Sequence, residues 1–108
     1  MAIPYTRRLI AAQFTTTGTQ TIFTADAAFH YVVRDIVVTN GDLGPHDDQV
    51  YIRLPNGENV NLLLLEQMPA ASTVHWDGRQ ALEPGDELRF VRGGPFQAIA
   101  VTGYVLFN

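Results

Sequence analysis

At 108 residues the chain has the length of one domain, and its 46% hydrophobic and 17% charged content is typical of a globular protein. The net charge of −4 argues against a nucleic-acid binder, and the lack of cysteine excludes disulfides and thiolate metal sites. No apolar run has the length of a membrane span, and the first residues hold no apolar core of a signal peptide. We therefore expect a product made in the cytoplasm, with neither nucleic acid nor membrane as a partner.

Apolar alternation and turn residues predict eight short strands. In chain order they cover residues 7–15, 20–24, 31–40, 49–54, 58–65, 72–76, 87–91 and 97–107. Asn56-Gly57 is typical of a hairpin turn, and Glu83-Pro84-Gly85-Asp86 has Pro and Gly at the middle of a type II turn. The pattern predicts an all-β fold, a single antiparallel β-sandwich of jelly-roll type with about eight strands. Residues 1–17 are assigned to an N-terminal arm or edge strand and residues 18–108 to the sandwich, and a short helical turn is compatible only with residues 62–68.

The strand over residues 31–40 is apolar on both faces. Valine and isoleucine occur at odd and even positions, so under strict alternation neither face is polar, and Arg34 and Asp35 point to opposite faces. Residues 62–65 and 97–108 share this property. Since an antiparallel strand in a small domain usually buries one face and exposes the other to water, the second face is expected to contact another subunit. The residues that we expect to serve as interface anchors are Arg34, Tyr51, Arg53, Leu63, Leu65, Trp76, Arg89 and Tyr104.

The sequence predicts no catalytic, cofactor-binding or metal-binding set. Ser72, the sole serine, has no histidine or other base at a spacing characteristic of nucleophilic catalysis. Neither a phosphate loop nor a dinucleotide fingerprint occurs. The loop His46-Asp47-Asp48 contains groups that bind divalent cations, but an Asp-rich turn exposed to water is the favoured interpretation, and the sequence does not decide between them. His75 is interpreted as a strand-end residue.

The layout of the chain resembles that of small β-sandwich virion structural proteins of tailed bacteriophages. The resemblance lies in a short strand at 21–24, a loop at 25–30, the strand at 31–40, the turn Leu-Glu-Pro-Gly-Asp-Glu-Leu at 82–88 and a closing strand through 101–106. It covers most of residues 20–108. The resemblance implies a non-enzymatic minor tail, head-fibre or capsid-decoration subunit that assembles in symmetric copies with itself and with tail or capsid proteins. It also implies a location in the virion after synthesis in the bacterial host cytoplasm.

Two other functions remain open from the sequence. The first is a β-sandwich module that binds a glycan or a host receptor, with Trp76 exposed near a turn as the stacking residue. The second, less favoured, is a cupin-like metalloenzyme that uses His46, Asp48 and His75, although paired histidines with a downstream glutamate are missing.

Overall fold

The computed structural model describes residues 4–107, which form eight antiparallel strands in two sheets. The first sheet has the order β1-β8-β3-β6 and the second the order β2-β7-β4-β5. This arrangement of eight strands is that of a jelly roll, so the predicted fold is confirmed. No helix in the described part of the chain is long and apolar enough to cross a membrane. The strands are β1 (Pro4–Phe14), β2 (Gly18–Thr24), β3 (Phe29–Asn40), β4 (His46–Arg53), β5 (Asn59–Met68), β6 (Thr73–Leu82), β7 (Glu87–Arg92) and β8 (Gln97–Phe107).

Most predicted strands differ from the observed ones by at most three residues at either end, but two expectations are wrong. The sixth strand continues from Trp76 to Leu82, because β6 pairs with β3 along its whole length. Residues 62–68 belong to β5 and pair with β4, so no helical turn forms there. Residues 4–14 form β1, which lies at the edge of the first sheet and pairs with β8. The division of the chain into an arm of residues 1–17 and a sandwich of residues 18–108 stays a prediction.

The two predicted turns are present, and each uses the glycine that its backbone needs. In the β4–β5 hairpin the amide of Gly57 donates to the carbonyl of Leu54 at 2.9 Å, and the φ of Gly57 is +92°. Between β6 and β7 the amide of Asp86 donates to the carbonyl of Glu83 at 3.0 Å, and the φ of Gly85 is +89°. A residue with a side chain rarely adopts such positive φ values.

The core fills the space between the two sheets. Its centre is formed by aliphatic side chains from the inner faces of the four central strands and by Phe90, whose exposure is 0%. Leu82 of β6 and Met68 of β5 also belong to the core. The aliphatic members on the central strands are Val33, Ile36 and Val38 on β3, Val50 and Ile52 on β4, Leu88 on β7, and Ile99, Val101 and Val105 on β8. Burial of these apolar surfaces is the main favourable contribution to folding.

A β-bulge in the middle of β3 explains why this strand is apolar at both odd and even positions. Val33 pairs with Gly103 of β8, but Asp35 pairs with the very next residue, Thr102, so Arg34 is the extra residue. The inward-facing positions therefore change from 31 and 33 before the bulge to 36, 38 and 40 after it. The prediction that Arg34 and Asp35 point to opposite faces is wrong, because bulges disrupt alternation. Both contact side chains of the outer face, as described below.

Candidate functional site: the outer face of the first sheet

The outer face of the first sheet, which turns away from the second sheet, is dominated by small and apolar side chains. Inward positions of β8 are buried, and the intervening outward positions are partly exposed. Register then places the outward residues of β1 and β3 beside those of β8. The outer-face residues of these three strands include Ala11, Gln13, Val32, Val37, Thr39, Ala98, Ala100, Thr102, Tyr104 and Leu106.

Two open grooves lie on this outer face. The first groove has a volume of about 340 Å³, and its outward lining consists of Ala11, Gln13, Val37, Thr39, Ala98 and Ala100. The second groove has a volume of about 440 Å³ and is lined by Val32, Arg79, Tyr104 and Leu106. At the first groove, alanines in β1 and β8 leave the sheet surface low between larger neighbours. Such a surface allows the side chains of another protein to come close to the sheet.

Arg34, one of the predicted anchors, lies against another one, Tyr104. The guanidinium carbon of Arg34 is 5.6 Å from the centroid of the Tyr104 ring, within the range of a cation–π interaction. Its NH1 group donates to the carbonyl of Gly78 at 3.1 Å. The bulge in β3 thus places Arg34 on the outer face, held by two contacts within its own chain.

Between the two grooves, Asp35, His75 and Asp77 form a cluster that the sequence alone does not predict. His75 Nε2 is 3.1 Å from Asp35 Oδ1 and 3.4 Å from Asp77 Oδ1. Side-chain exposures of 39%, 52% and 75% for Asp35, His75 and Asp77 leave the cluster open to solvent. The pKa of Asp35 is lowered, first by a hydrogen bond with Asp77, then by the hydrogen bond and charge of His75 and the charge of Arg34.

Three further predicted anchors, Tyr51, Arg53 and Arg89, lie on the opposite surface of the protein, the outer face of the second sheet. Tyr51 and Arg89 pair across β4 and β7, and Tyr51 is only 9% exposed. The Arg89 guanidinium donates to Glu87 at 3.0 and 3.2 Å. Hydrogen bonds from Thr21 and Arg89 to Glu87 lower the pKa of this carboxyl. Arg53 pairs with Glu87 across β4 and β7. The structure therefore places these three anchors on a different surface from Arg34 and Tyr104.

Three predicted anchors face the protein's own core. Leu63 and Leu65 are partly buried and pack against the core, because Leu63 pairs with Val50, which faces inward. Of this leucine run, Leu64 is the exposed member, at 58%. Trp76 also packs against the core, since its pairing partner Ile36 is fully buried. The ring of Trp76 is therefore not displayed at a turn, as stacking on a glycan would require.

The loop that contains His46, Asp47 and Asp48 directs its side chains to different protein groups. His46 Nε2 is 2.5 Å from Asp42 Oδ2, and Asp47 Oδ1 accepts the backbone amide of Gln67 at 2.7 Å. Asp48 is 1% exposed and accepts the amide of Gly93 at 3.1 Å. Burial raises the pKa of Asp48.

The cupin-like set of three residues does not converge. His46 and Asp48 belong to β4 in the second sheet, whereas His75 lies on β6 and contacts the outer face of the first sheet. A shared metal centre needs all its ligand atoms around one point, so the arrangement gives no support to a metalloenzyme of this kind.

Comparisons with known proteins give no relative by sequence but many by structure. No family model matches the chain, and no curated protein matches it. Among solved structures, the core of Drosophila NLP, described for pentamer formation and histone binding, has a TM-score of 0.53 at 11% identity, covering 92% of this chain and 98% of that one. A pentameric capsid protein isolated from metagenomic phage sequences has a TM-score of 0.52 at 14% identity. The VP2 protein of an infectious bursal disease virus subviral particle has a TM-score of 0.53 at 12% identity.

These likenesses show a shared fold. The alignments cover 98% of this chain and 63% of the phage capsid protein, and 99% of this chain and 33% of VP2. The chain thus spans about a third of the VP2 chain, and its fold is one that viral capsid proteins also use.

Proposed function

We propose that this chain is a non-enzymatic structural subunit of a bacteriophage particle that assembles in symmetric copies through the outer face of its first sheet. The observation that carries the proposal is the composition of this outer face. Its strands present alanine, valine and leucine to solvent, with two grooves between them. Exposed apolar patches of this kind mark protein–protein contact sites.

The size of the outer face agrees with the area that a subunit interface needs. Four strands spaced at about 4.8 Å, with about 3.3 Å of rise per residue, make a sheet face of roughly 19 by 36 Å for strands of the length of β8. The resulting area of roughly 700 Å² is close to the value of about 800 Å² per partner in standard interfaces. Assemblies of identical chains are usually closed and symmetric.

Two further findings support a particle subunit. The layout of the sequence resembles that of small virion proteins of tailed phages, and the fold is shared with a phage capsid protein and with VP2. Within the particle the chain would be a minor tail or capsid-decoration protein, made in the bacterial host cytoplasm. Its partners would be copies of itself and neighbouring tail or capsid proteins.

Mass spectrometry of gradient-purified particles tests this role. Particles produced from the genome that encodes the chain should contain it in many copies, and an Ala100→Arg variant should be depleted from them. Leu64→Arg is the matched control, because it adds the same charge on the outer face of the second sheet and should not reduce incorporation. Absence of the wild-type chain from purified particles would refute the proposal.

A further inference from the structure

Asp35, His75 and Asp77 lie close together on the outer face of the first sheet, and two of them are acidic residues paired across neighbouring strands. Asp35 and Asp77 are direct partners in the β3–β6 register, and His75 lies two residues before Asp77 on the same strand. Like charges directly opposite each other destabilise a sheet. Here the bulge at Arg34 moves Asp35 onto the face that already holds the other two side chains. The three groups thus converge on one point above the sheet.

The spacing of the three ligand atoms is compatible with a first coordination sphere. One nitrogen of His75 and one oxygen from each carboxylate all lie within 4.8 Å of one another. The two distances that start at His75 Nε2 are 3.1 and 3.4 Å. In a tetrahedron with metal–ligand bonds of about 2.0–2.1 Å, neighbouring ligand atoms are about 3.3–3.4 Å apart. A single ion can therefore touch all three atoms with little movement of the side chains.

We propose that Asp35, His75 and Asp77 bind a divalent transition-metal ion, with Zn²⁺ as the best match. An imidazole ligand favours zinc and its neighbours over Mg²⁺ and Ca²⁺, which prefer oxygen ligands alone. Three protein ligands leave a fourth position open to water. The ion adds positive charge beside the two carboxyl groups that the β3–β6 pairing holds together.

The site is supported by strands rather than by loops. Asp35 lies in the middle of β3, which has hydrogen-bonded neighbours on both sides, and the other two ligands lie on the adjacent β6. A metal site on rigid elements loses little conformational freedom on binding. This inference concerns the single chain and does not depend on the proposed assembly.

Isothermal titration of the tag-free, chelator-free full chain with Zn²⁺ tests the site. We expect one ion per chain, with the affinity reduced at least about tenfold in His75→Gln, Asp35→Asn and Asp77→Asn, since even groups behind the ligands are worth about 10–100-fold. His30→Gln is the matched control, because His30 is an exposed histidine of β3 outside the cluster. This variant should bind as the wild type does.

Three results would overturn the inference: no saturable binding, unchanged affinity in His75→Gln, or an equal loss in His30→Gln, which would indicate adventitious histidine binding. Asp77→Asn keeps the test decisive if another variant folds poorly, because the Asp77 side chain is 75% exposed. Displacement of Zn²⁺ by equimolar Ca²⁺ would also contradict the role of the imidazole. The binding assay is performed on dilute protein, so a failure of assembly and a failure of metal binding are seen separately.

Discussion

The bulge in β3 makes a sharp prediction about four valines. Before the bulge Val33 faces the core and Val32 the outer face, and after it Val38 faces the core and Val37 the outer face. If alternation were strict, Val33 and Val37 would share one face. The loss of stability on replacing each valine by alanine in turn therefore shows which valines face the core on either side of Arg34.

The expected magnitudes follow from burial. Val33 and Val38 are 0% exposed. Removing two methyl groups costs about 1.6 kcal/mol in transfer free energy, at about 0.8 kcal/mol per carbon. The remaining cavity raises the loss to about 2–3 kcal/mol, which lowers the melting temperature by roughly 10–20 °C. Val32→Ala and Val37→Ala, on the outer face, should each cost about 0.5 kcal/mol in the dilute protein.

Urea unfolding followed by the fluorescence of Trp76, the single tryptophan, measures these differences. Trp76 packs against the core, so its emission reports loss of the sandwich. If Val37→Ala destabilises the chain as much as Val38→Ala does, the two valines do not face opposite sides of the sheet as described. Equal effects of Val32→Ala and Val33→Ala would contradict the described orientation on the other side of the bulge.

Three further substitutions test other parts of the structure. Gly103→Ala should destabilise the chain more than Val38→Ala in the same urea assay, because its Cβ would lie 2.2 Å from the carbonyl oxygen of Val32; a mild effect would contradict the close approach of β8 to the bulge. Asn40→Ala should cost about 2–4 kcal/mol in thermal unfolding, because the Asn40 side-chain amide donates to the carbonyl of Met68 in the interior and to that of Gly44, and a neutral result would contradict this role. For Asp48, the raised pKa means that its charged form carries a burial penalty in the folded state, present above the folded pKa and lost as pH falls through it. Asp48→Asn should therefore be more stable than the wild type at pH 7, with a difference that shrinks towards about pH 4; a difference that grows on acidification would reverse the assigned sign.

The fold could be predicted from the sequence because its signals are local. Asn56-Gly57 and Glu83-Pro84-Gly85-Asp86 specify their turns within a few residues, and the regular spacing of short apolar segments between such turns is typical of a sandwich. The sequence does not predict which face of the sheet each side chain of β3 occupies. The bulge in β3 depends on Gly103 of β8, where the two backbones approach so closely that a side chain would not fit. No residue close to Arg34 in the sequence indicates a bulge at this point.

The same limit applies to the surface residues. Asp35 and His75 are 40 positions apart, and only the β3–β6 register brings them together. Leu63 and Leu65 were expected at an interface because the leucine run breaks alternation, and Trp76 because a turn was expected after it. Their pairing partners face inward, and so do they. Side-chain type alone does not tell which face of a sheet a residue occupies, because strand register decides it.

The most direct test of the account is sedimentation velocity on the tag-free chain and two matched variants. The wild type should form a discrete symmetric oligomer. Ala100→Arg, which places a guanidinium in the first groove, should be monomeric with an unchanged fold, and Leu64→Arg should assemble as the wild type does. A wild type that stays monomeric at all concentrations, or an assembly that Leu64→Arg disrupts and Ala100→Arg does not, would contradict the assignment of the outer face of the first sheet as the interface.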